Sequence, residues 1–457
     1  MKDPGSFRDP SGYVYLENNK IFRVVNISYK ENYRLLIDSG LYKELVKKEL
    51  LIKHSEVDKT QGNKQYCTLK VDKIFPINYP YEWSFSQLRD AAVLTLEIQK
   101  IAVKYGMTLK DATPYNVQFN GHKPIFIDTL SFEKIIDENY AWVAYKQFCE
   151  MFLSPLCLMS YEDPSLNKLL IPFLDGIPLN LTNKLLKFKH KIKPSIFINL
   201  VLPNIITPKV NSGKGSSRKK ISQKQHLNIV EQLLSFSSQL EVLKEESEWG
   251  EYNSETILEK EVYVIEKEKA IEEFLKDKNY KIVWDIGSND GFYSRKLCAL
   301  TQSHVMSLDI DWQCVEKNYV INKKKEQNKV TPILFDLSNP SPGIGWMNNE
   351  RTDIFSRIGE PNLICLFAVM HHVLNKNIPL EFLMDLIVKS ESDVLIEYVP
   401  FTDPKCQIIF ESRSDDFYYP GKGDFENRIK ENFEVQDMRR LKPTDRILYF
   451  LKKRKIN

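Results

Sequence analysis

The run Ile282-Val-Trp-Asp-Ile-Gly-Ser-Asn-Asp-Gly-Phe292 constrains this chain more than any other stretch. Apolar residues lead to Asp285, a turn carries Gly287 and Gly291, and a helix-like segment follows from Tyr293. A strand, a glycine turn and a helix in that order let backbone approach a nucleotide-like ligand at the helix start. A second strand-like run from His304 ends at Asp309, 24 residues beyond Asp285. In such folds an acidic residue about 20 residues on holds a ribose edge. Later runs end in Asp336, in His371-His372 and near Glu397. Leu363 to Met370 is apolar throughout, as a strand buried on both faces requires. Residues 433–436 and 446–451 read as a closing hairpin. Strand–helix alternation predicts a mostly parallel sheet with helices on both faces and ligands at the carboxyl ends of its strands.

The glycine pattern is not the dinucleotide one, Gly-x-Gly-x-x-Gly. Asp285-x-Gly287-x-Asn289-x-Gly291 resembles motif I of class I S-adenosylmethionine (SAM) methyltransferases, with Asn289 in place of the middle glycine. Asn tolerates positive φ better than other non-glycine residues, so the turn can survive. The resemblance implies an α/β, Rossmann-like class I methyltransferase domain with a mostly parallel seven-stranded sheet. It also implies that Asp285, Gly287, Asn289 and Gly291 surround the methionine part of SAM, with Asp309 on the ribose and Asp336 near adenine. His371 and His372 are candidate general bases, since imidazole titrates near neutrality; capping of the following helix is the alternative. Glu397 either orients an acceptor or makes a structural hydrogen bond. Trp249 and Tyr252, in the leading segment, either line the cofactor or pack. Arg413 and Asp416 are weaker candidates for an acceptor-side loop.

The first 200 residues have a different pattern. Two apolar runs flank Asn18-Asn19, which reads as a hairpin. Residues 31–52 read as helical, and Lys70 to Ile74 as a strand. Ser84 to Tyr105 has the spacing of an amphipathic helix, with Ser84 as N-cap and Gly106 beyond its end. Asp111 and Asn116 follow, and Pro124-Ile-Phe-Ile-Asp128 reads as a strand ending in Asp128. A helix, then Asp-x4-Asn, then a strand-borne Asp resembles the catalytic loop and metal-binding Asp of protein kinases and small-molecule phosphotransferases. That resemblance implies Asp111 as base and Asn116 and Asp128 as Mg²⁺ ligands, with Mg-ATP as a cofactor only if the lobe is active. Three departures count against activity and leave a degenerate kinase-like lobe or a chance match. Leu109 replaces the usual His, no glycine-rich loop precedes residue 84, and Thr129-Leu130 replace Phe-Gly. No motif places a phosphate-pairing lysine, and Lys70 stands as a bare candidate.

At 457 residues the chain is long enough for two or three domains. The basic Gly/Ser stretch Lys209–Lys220 reads as a linker. The expected division is an α+β kinase-like domain over 1–205, a linker over 206–222 and a methyltransferase domain over 223–457, with leading helices over 223–276. A net charge of +3 with 27% charged residues does not mark a nucleic-acid binder, so nucleic acid is not an expected partner. The seven cysteines have no metal spacing and suit reduced core thiols. No signal-like or membrane-spanning run is present in the sequence, so a cytoplasmic protein is expected.

Further segments share one resemblance: Phe7-Arg-Asp-Pro-Ser-Gly12, Tyr79-Pro-Tyr-Glu-Trp83, Phe85-Ser-Gln-Leu88, Leu109-Lys-Asp-Ala112, Ile127-Asp-Thr-Leu-Ser-Phe132, Trp142-Val-Ala-Tyr145, Asp175-Gly-Ile-Pro178, Pro340-Ser-Pro-Gly-Ile-Gly-Trp346 and Glu397-Tyr-Val-Pro400. They resemble NoeA-like class I SAM-dependent methyltransferases. The resemblance implies methyl transfer from SAM to an O or N acceptor on a small molecule, saccharide or glycoconjugate. Two other functions stay open: a bifunctional kinase-methyltransferase modifying a polysaccharide end, and a non-catalytic SAM-binding scaffold.

Overall fold

The computed structural model describes residues 2–57, 64–136, 141–206, 222–243, 257–411, 413 and 417–454. It divides into two compact units, Met1–Lys244 with Pro342–Arg357, and Glu245–Ser341 with Ile358–Asn457.

The first unit opens with an antiparallel sheet in the order β1-β2-β4-β3: β1 Gly12–Glu17, β2 Lys20–Asn26, β3 His54–Val57 and β4 Gln65–Val71. Asn18 and Asn19 both take positive φ, the geometry a two-residue hairpin turn requires. The helix expected over 31–52 is two helices, Lys30–Asp38 and Leu41–Lys47, broken at Ser39-Gly40. Helix Phe85–Lys104 runs through the core. Ser84 caps it: Gln87 N–H donates to the Ser84 hydroxyl, and the Gln87 side chain accepts from Ser84 N–H. After it come β5 Met107–Leu109, β6 Val117–Asn120, β7 Lys123–Phe126 and β8 Phe132–Lys134. β5 pairs with β8, and β6 with β7.

Two segments expected in the methyltransferase domain belong to this first unit. Helix Gln223–Gln239, expected to lead the methyltransferase domain, packs on Phe85–Lys104 through Gln99 and His226 (2.9 Å) and the Lys100–Glu231 pair (2.8 Å). Its apolar stripe, with Val230 and Leu233 fully buried, fits that neighbour. The two compact units divide at 244/245, downstream of the linker expected over 206–222. Pro342–Arg357 returns to the first unit from late in the chain. There Arg357 forms a buried two-pronged pair with Glu82 and stacks over Tyr79 at 4.0 Å, while Glu350 takes Arg8 at 2.7 Å.

The second unit is built on seven strands: β9 Ile282–Ile286, β10 His304–Asp309, β11 Val330–Leu334, β12 Leu363–Leu366, β13 Asp393–Tyr398, β14 Phe433–Arg440 and β15 Ile447–Lys453. Their order is β11-β10-β9-β12-β13-β15-β14. β15 runs antiparallel to both neighbours, and the other pairings are parallel. This is the doubly wound, mostly parallel sheet that the sequence predicts, with the closing hairpin at one edge. β9, β11 and β12 are buried at every position, which their apolar runs require. Helix Ile257–Phe274 adds Ala270, Ile271 and Phe274 to the core formed with Val283, Leu363 and Leu395.

Candidate functional site

β9 lies where the sheet reverses its direction of growth. β10 and β11 extend it one way, β12 and β13 the other. The carboxyl ends of β9 and β12 stand side by side there, with Ile286 opposite Leu366. Ligand crevices of open α/β sheets form at this switch point.

The turn leaving β9 has positive φ at Gly287 (+73°), Asn289 (+50°) and Gly291 (+75°). Gly287 is also a close approach: a Cβ there would lie 2.6 Å from Val369 Cγ2, in the residue that precedes helix Met370–Asn375. Gly291 starts helix Phe292–Thr301, and a Cβ there would collide with the Asn318 amide. Asn289 supplies the middle position with a side chain that tolerates αL geometry, and its carbonyl Oδ1 accepts from Asp290 N–H at 2.7 Å.

Asp285 is almost fully buried beneath this turn. Ser294 donates to its Oδ2 at 2.5 Å, and Ser307 and Asn318 complete a buried polar chain behind it. Oδ1 has no hydrogen-bond partner. Burial pushes the Asp285 carboxyl up to about 6. Asp309 closes the turn from β10: its Oδ2 accepts from Asn289 N–H at 2.6 Å and its Oδ1 from Asp311 N–H at 2.8 Å. Burial also lifts the Asp309 carboxyl to about 6, against the pull of these amides. A carboxylate has about four acceptor positions, so Asp309 keeps acceptor capacity beyond its backbone partners. Asp336 follows β11, and its Oδ1 takes Ser338 N–H (2.8 Å), the Ser338 hydroxyl (2.5 Å) and Lys376 Nζ (3.3 Å). Despite partial burial, these contacts hold its carboxyl below the usual range.

The other sequence candidates have distinct surroundings. His371 and His372 open helix Met370–Asn375, just past β12. His371 is fully buried, and neither ring nitrogen has a partner. Burial lowers its imidazole to about 2 and that of His372 to about 4, so both rings are neutral at physiological pH. Glu397 is fully buried near the end of β13. It accepts from Tyr263 (2.6 Å) and Lys267 (2.8 Å), and Arg446 stands at 3.6 Å. Arg446 in turn grips Asp403 with two bonds, of 2.8 and 2.9 Å. Arg413 donates to the Asn375 carbonyl at 3.1 Å, past the end of β12. Trp249, Tyr252, Asp416 and Lys209–Lys220 lie outside the described residues.

Sequence reasoning missed the cations around Glu397. Lys267 lies 4.4 Å from the Phe367 ring centroid and 4.5 Å from that of Tyr293. A signal existed: Lys267 sits in the stripe Tyr263, Lys267, Ala270, Ile271, Phe274, where every other member is apolar or aromatic. Ala368, with φ +56° between β12 and its helix, left no signal.

In the first unit, Asp111, Asn116 and Asp128 are drawn into one loop region. Asp111 follows β5, Asn116 precedes the β6–β7 hairpin, and Asp128 follows β7. Asn116 Nδ2 donates to Ser131 Oγ (3.0 Å), which donates to Asp128 Oδ2 (2.5 Å). Arg23 of β2 pairs with Asp128 Oδ1. Although burial opposes it, Arg23 leads the contacts that hold Asp128 below the usual carboxylate range. Burial and neighbouring Asp128 lift Asp111 to about 6. Lys70 is exposed on β4. No group of three His, Cys, Asp or Glu residues that could hold a metal occurs among the described residues.

No protein-family model matches the chain. A curated relative, nodulation protein NoeA of Rhizobium meliloti (strain 1021), is 28% identical over 463 aligned residues, which cover 97% of this chain and 94% of NoeA. This chain is similar to NoeA along nearly its whole length. Among solved structures, magnesium protoporphyrin IX methyltransferase (ChlM) from Synechocystis PCC 6803 with bound SAM is 14% identical. The match has a TM-score of 0.30 and covers 43% of this chain and 83% of that one. The PH0226 protein from Pyrococcus horikoshii OT3 is also 14% identical, with a TM-score of 0.33 and coverage of 46% and 100%.

Proposed function

We propose that this chain is a SAM-dependent methyltransferase acting on an O or N acceptor of a small molecule, saccharide or glycoconjugate. The acidic character of the glycine turn carries this reading. A dinucleotide pyrophosphate at the start of helix Phe292–Thr301 would lie over the buried carboxylate of Asp285, whereas Asp290 is already paired with Lys317 at 2.8 Å and Asp309 suits the ribose of either ligand. The sulfonium and amino groups of SAM are cationic and suit the same surroundings. Unpartnered Asp285 Oδ1 fits an ammonium donor, and the spare acceptor positions of Asp309 fit a ribose diol. Bound SAM supplies an electrophilic methyl group for in-line displacement. Around it, Gly287 keeps the β9 turn clear of side-chain bulk, and Asp336 would hold the adenine amino group.

We assign proton removal from the acceptor to His372, the partly exposed member of the pair, which burial keeps neutral but makes a weaker base than free imidazole, and a packing role to His371. Glu397 is held by Lys267, Tyr263 and Arg446, which supports a structural role. The deciding experiment is calorimetric titration of SAM into wild type and Asp309→Ala. Loss of charge-assisted bonds of about 1.5–3 kcal/mol should weaken affinity roughly 10–100-fold. Equal affinity in both proteins would refute the assignment.

A second reading concerns the first unit. Its β5–loop–hairpin arrangement around Asp111, Asn116 and Asp128 supports a degenerate kinase-like lobe. The Arg23–Asp128 pair favours an inactive one, because the arginine already neutralises the expected metal ligand. Titration with Mg-ATP should give no heat; binding that Asp128→Ala abolishes would overturn this reading.

A further inference from the structure

Leu179 to Ile206 contains five lysines and no acidic residue. Short helices Leu179–Leu185, Phe188–Lys191, Pro194–Ile196 and Leu202–Ile206 follow one another, with a wide helical turn at Phe197–Val201. Polar contacts fasten them in the first unit. Asn183 Nδ2 donates to the Leu200 carbonyl at 2.7 Å, and Tyr145 donates to Asn199 Oδ1 at 2.7 Å. Leu186, Ile196 and Leu200 are buried against the unit. Six large apolar side chains face water: Phe188 is 77% exposed, Ile205 66% and Ile192 62%, with Leu185, Phe197 and Ile198 each above a third. Interleaved with them are Lys184, Lys187, Lys189, Lys191 and Lys193. Glu162 takes Lys187 (3.4 Å) and His190 (2.9 Å), which leaves the face strongly positive.

We propose that this face docks the protein peripherally on an anionic membrane surface. Phe188, Ile192 and Ile205 enter the headgroup boundary, and the lysines meet lipid phosphate. Large apolar side chains alternating with lysine are the composition of interfacial segments, whereas a solvated face has the lysines without the apolar partners. A second copy of the same face would bring the lysines against each other, and nucleic acid offers stacking for Phe188 and Phe197 but no apolar medium for the four aliphatic side chains. No described helix is long and apolar enough to cross a membrane, so the contact is confined to the surface.

The test is co-sedimentation of the full chain with vesicles containing phosphatidylglycerol and with vesicles of phosphatidylcholine alone. Binding should favour the anionic vesicles by about tenfold or more and weaken as salt screens the lysines. F188S/I192S and K184E/K189E should each lose binding while their thermal unfolding stays at the wild-type temperature. Absence of binding to anionic vesicles, equal binding to both compositions, or wild-type binding by both variants would overturn the proposal. So would a concentration-dependent dimer in ultracentrifugation that F188S/I192S dissolves, since it would assign the face to self-association.

Discussion

At the residue scale, the informative groups are carboxylates whose burial and pairing differ. Asp285 and Asp309 are both lifted to about 6 by burial. In the unfolded chain an aspartate titrates near about 3.9. The folded state therefore holds more protons than the unfolded state between these values. The stability this contributes is complete below about pH 4 and lost as pH rises through about 6. Asp285→Asn should lose less stability than wild type between about pH 4 and 7, measured by urea unfolding. A cationic ligand favours the ionised form, so SAM affinity of wild type should rise over the same interval; a flat affinity profile would refute this. Glu397 behaves differently. Lys267, Tyr263 and Arg446 surround it, and despite burial Lys267 leads the contacts that keep it below the usual range. Lys267→Met removes one partner of a buried pair and should cost about 3–5 kcal/mol in urea unfolding. The double variant Lys267→Met/Glu397→Gln should recover much of that loss.

At the element scale, the β9 turn works because it nearly touches the start of the helix that follows β12. Gly287→Ala would press a methyl group onto Val369 and retain an unfavourable positive φ. The backbone term alone costs about 1–2 kcal/mol. The variant should bind SAM at least about tenfold more weakly, and Val369→Ala in the same chain should restore part of the affinity. Recovery to full wild-type affinity would mean that the backbone strain is negligible. The strands and their acids were legible because Asp285, Gly287, Asn289 and Gly291 lie within one short stretch, and Asp309 ends the next apolar run. Helix Gln223–Gln239 was legible as a helix but not as a member of the first unit. Its stripe specifies that it needs an apolar partner without specifying which one. The break at Ser39-Gly40 was missed because apolar spacing continues on both sides of it.

At the scale of the whole molecule, the chain passes from the first unit to the second at 244/245, returns at Pro342 and leaves again after Arg357. The returning segment departs from the second unit shortly after Asp336 and rejoins it before β12. The first unit is thus built from two separate stretches of chain. Arg357→Met should leave Glu82 buried with Tyr79 N–H as its remaining partner and cost about 3–5 kcal/mol. In the full chain, calorimetry should show the transition of the first unit moving to lower temperature. The isolated fragment 1–244 lacks Arg357 and should melt at least as low as this variant; a fragment as stable as the intact unit would refute the role given to the segment.

The sequence by itself determined the strand–turn–helix at Asp285, the acids at successive strand ends and the doubly wound sheet. Those features rest on local spacing and on runs of apolar residues, which one chain records directly. Only the tertiary structure decided which carboxylates are occupied. Glu397 meets Lys267 across 130 residues, Asp128 meets Arg23 across 105, and Glu82 meets Arg357 across 275. Nothing in linear spacing encodes such partners, yet in a buried site the partner sets a carboxylate's charge and its freedom to bind anything else.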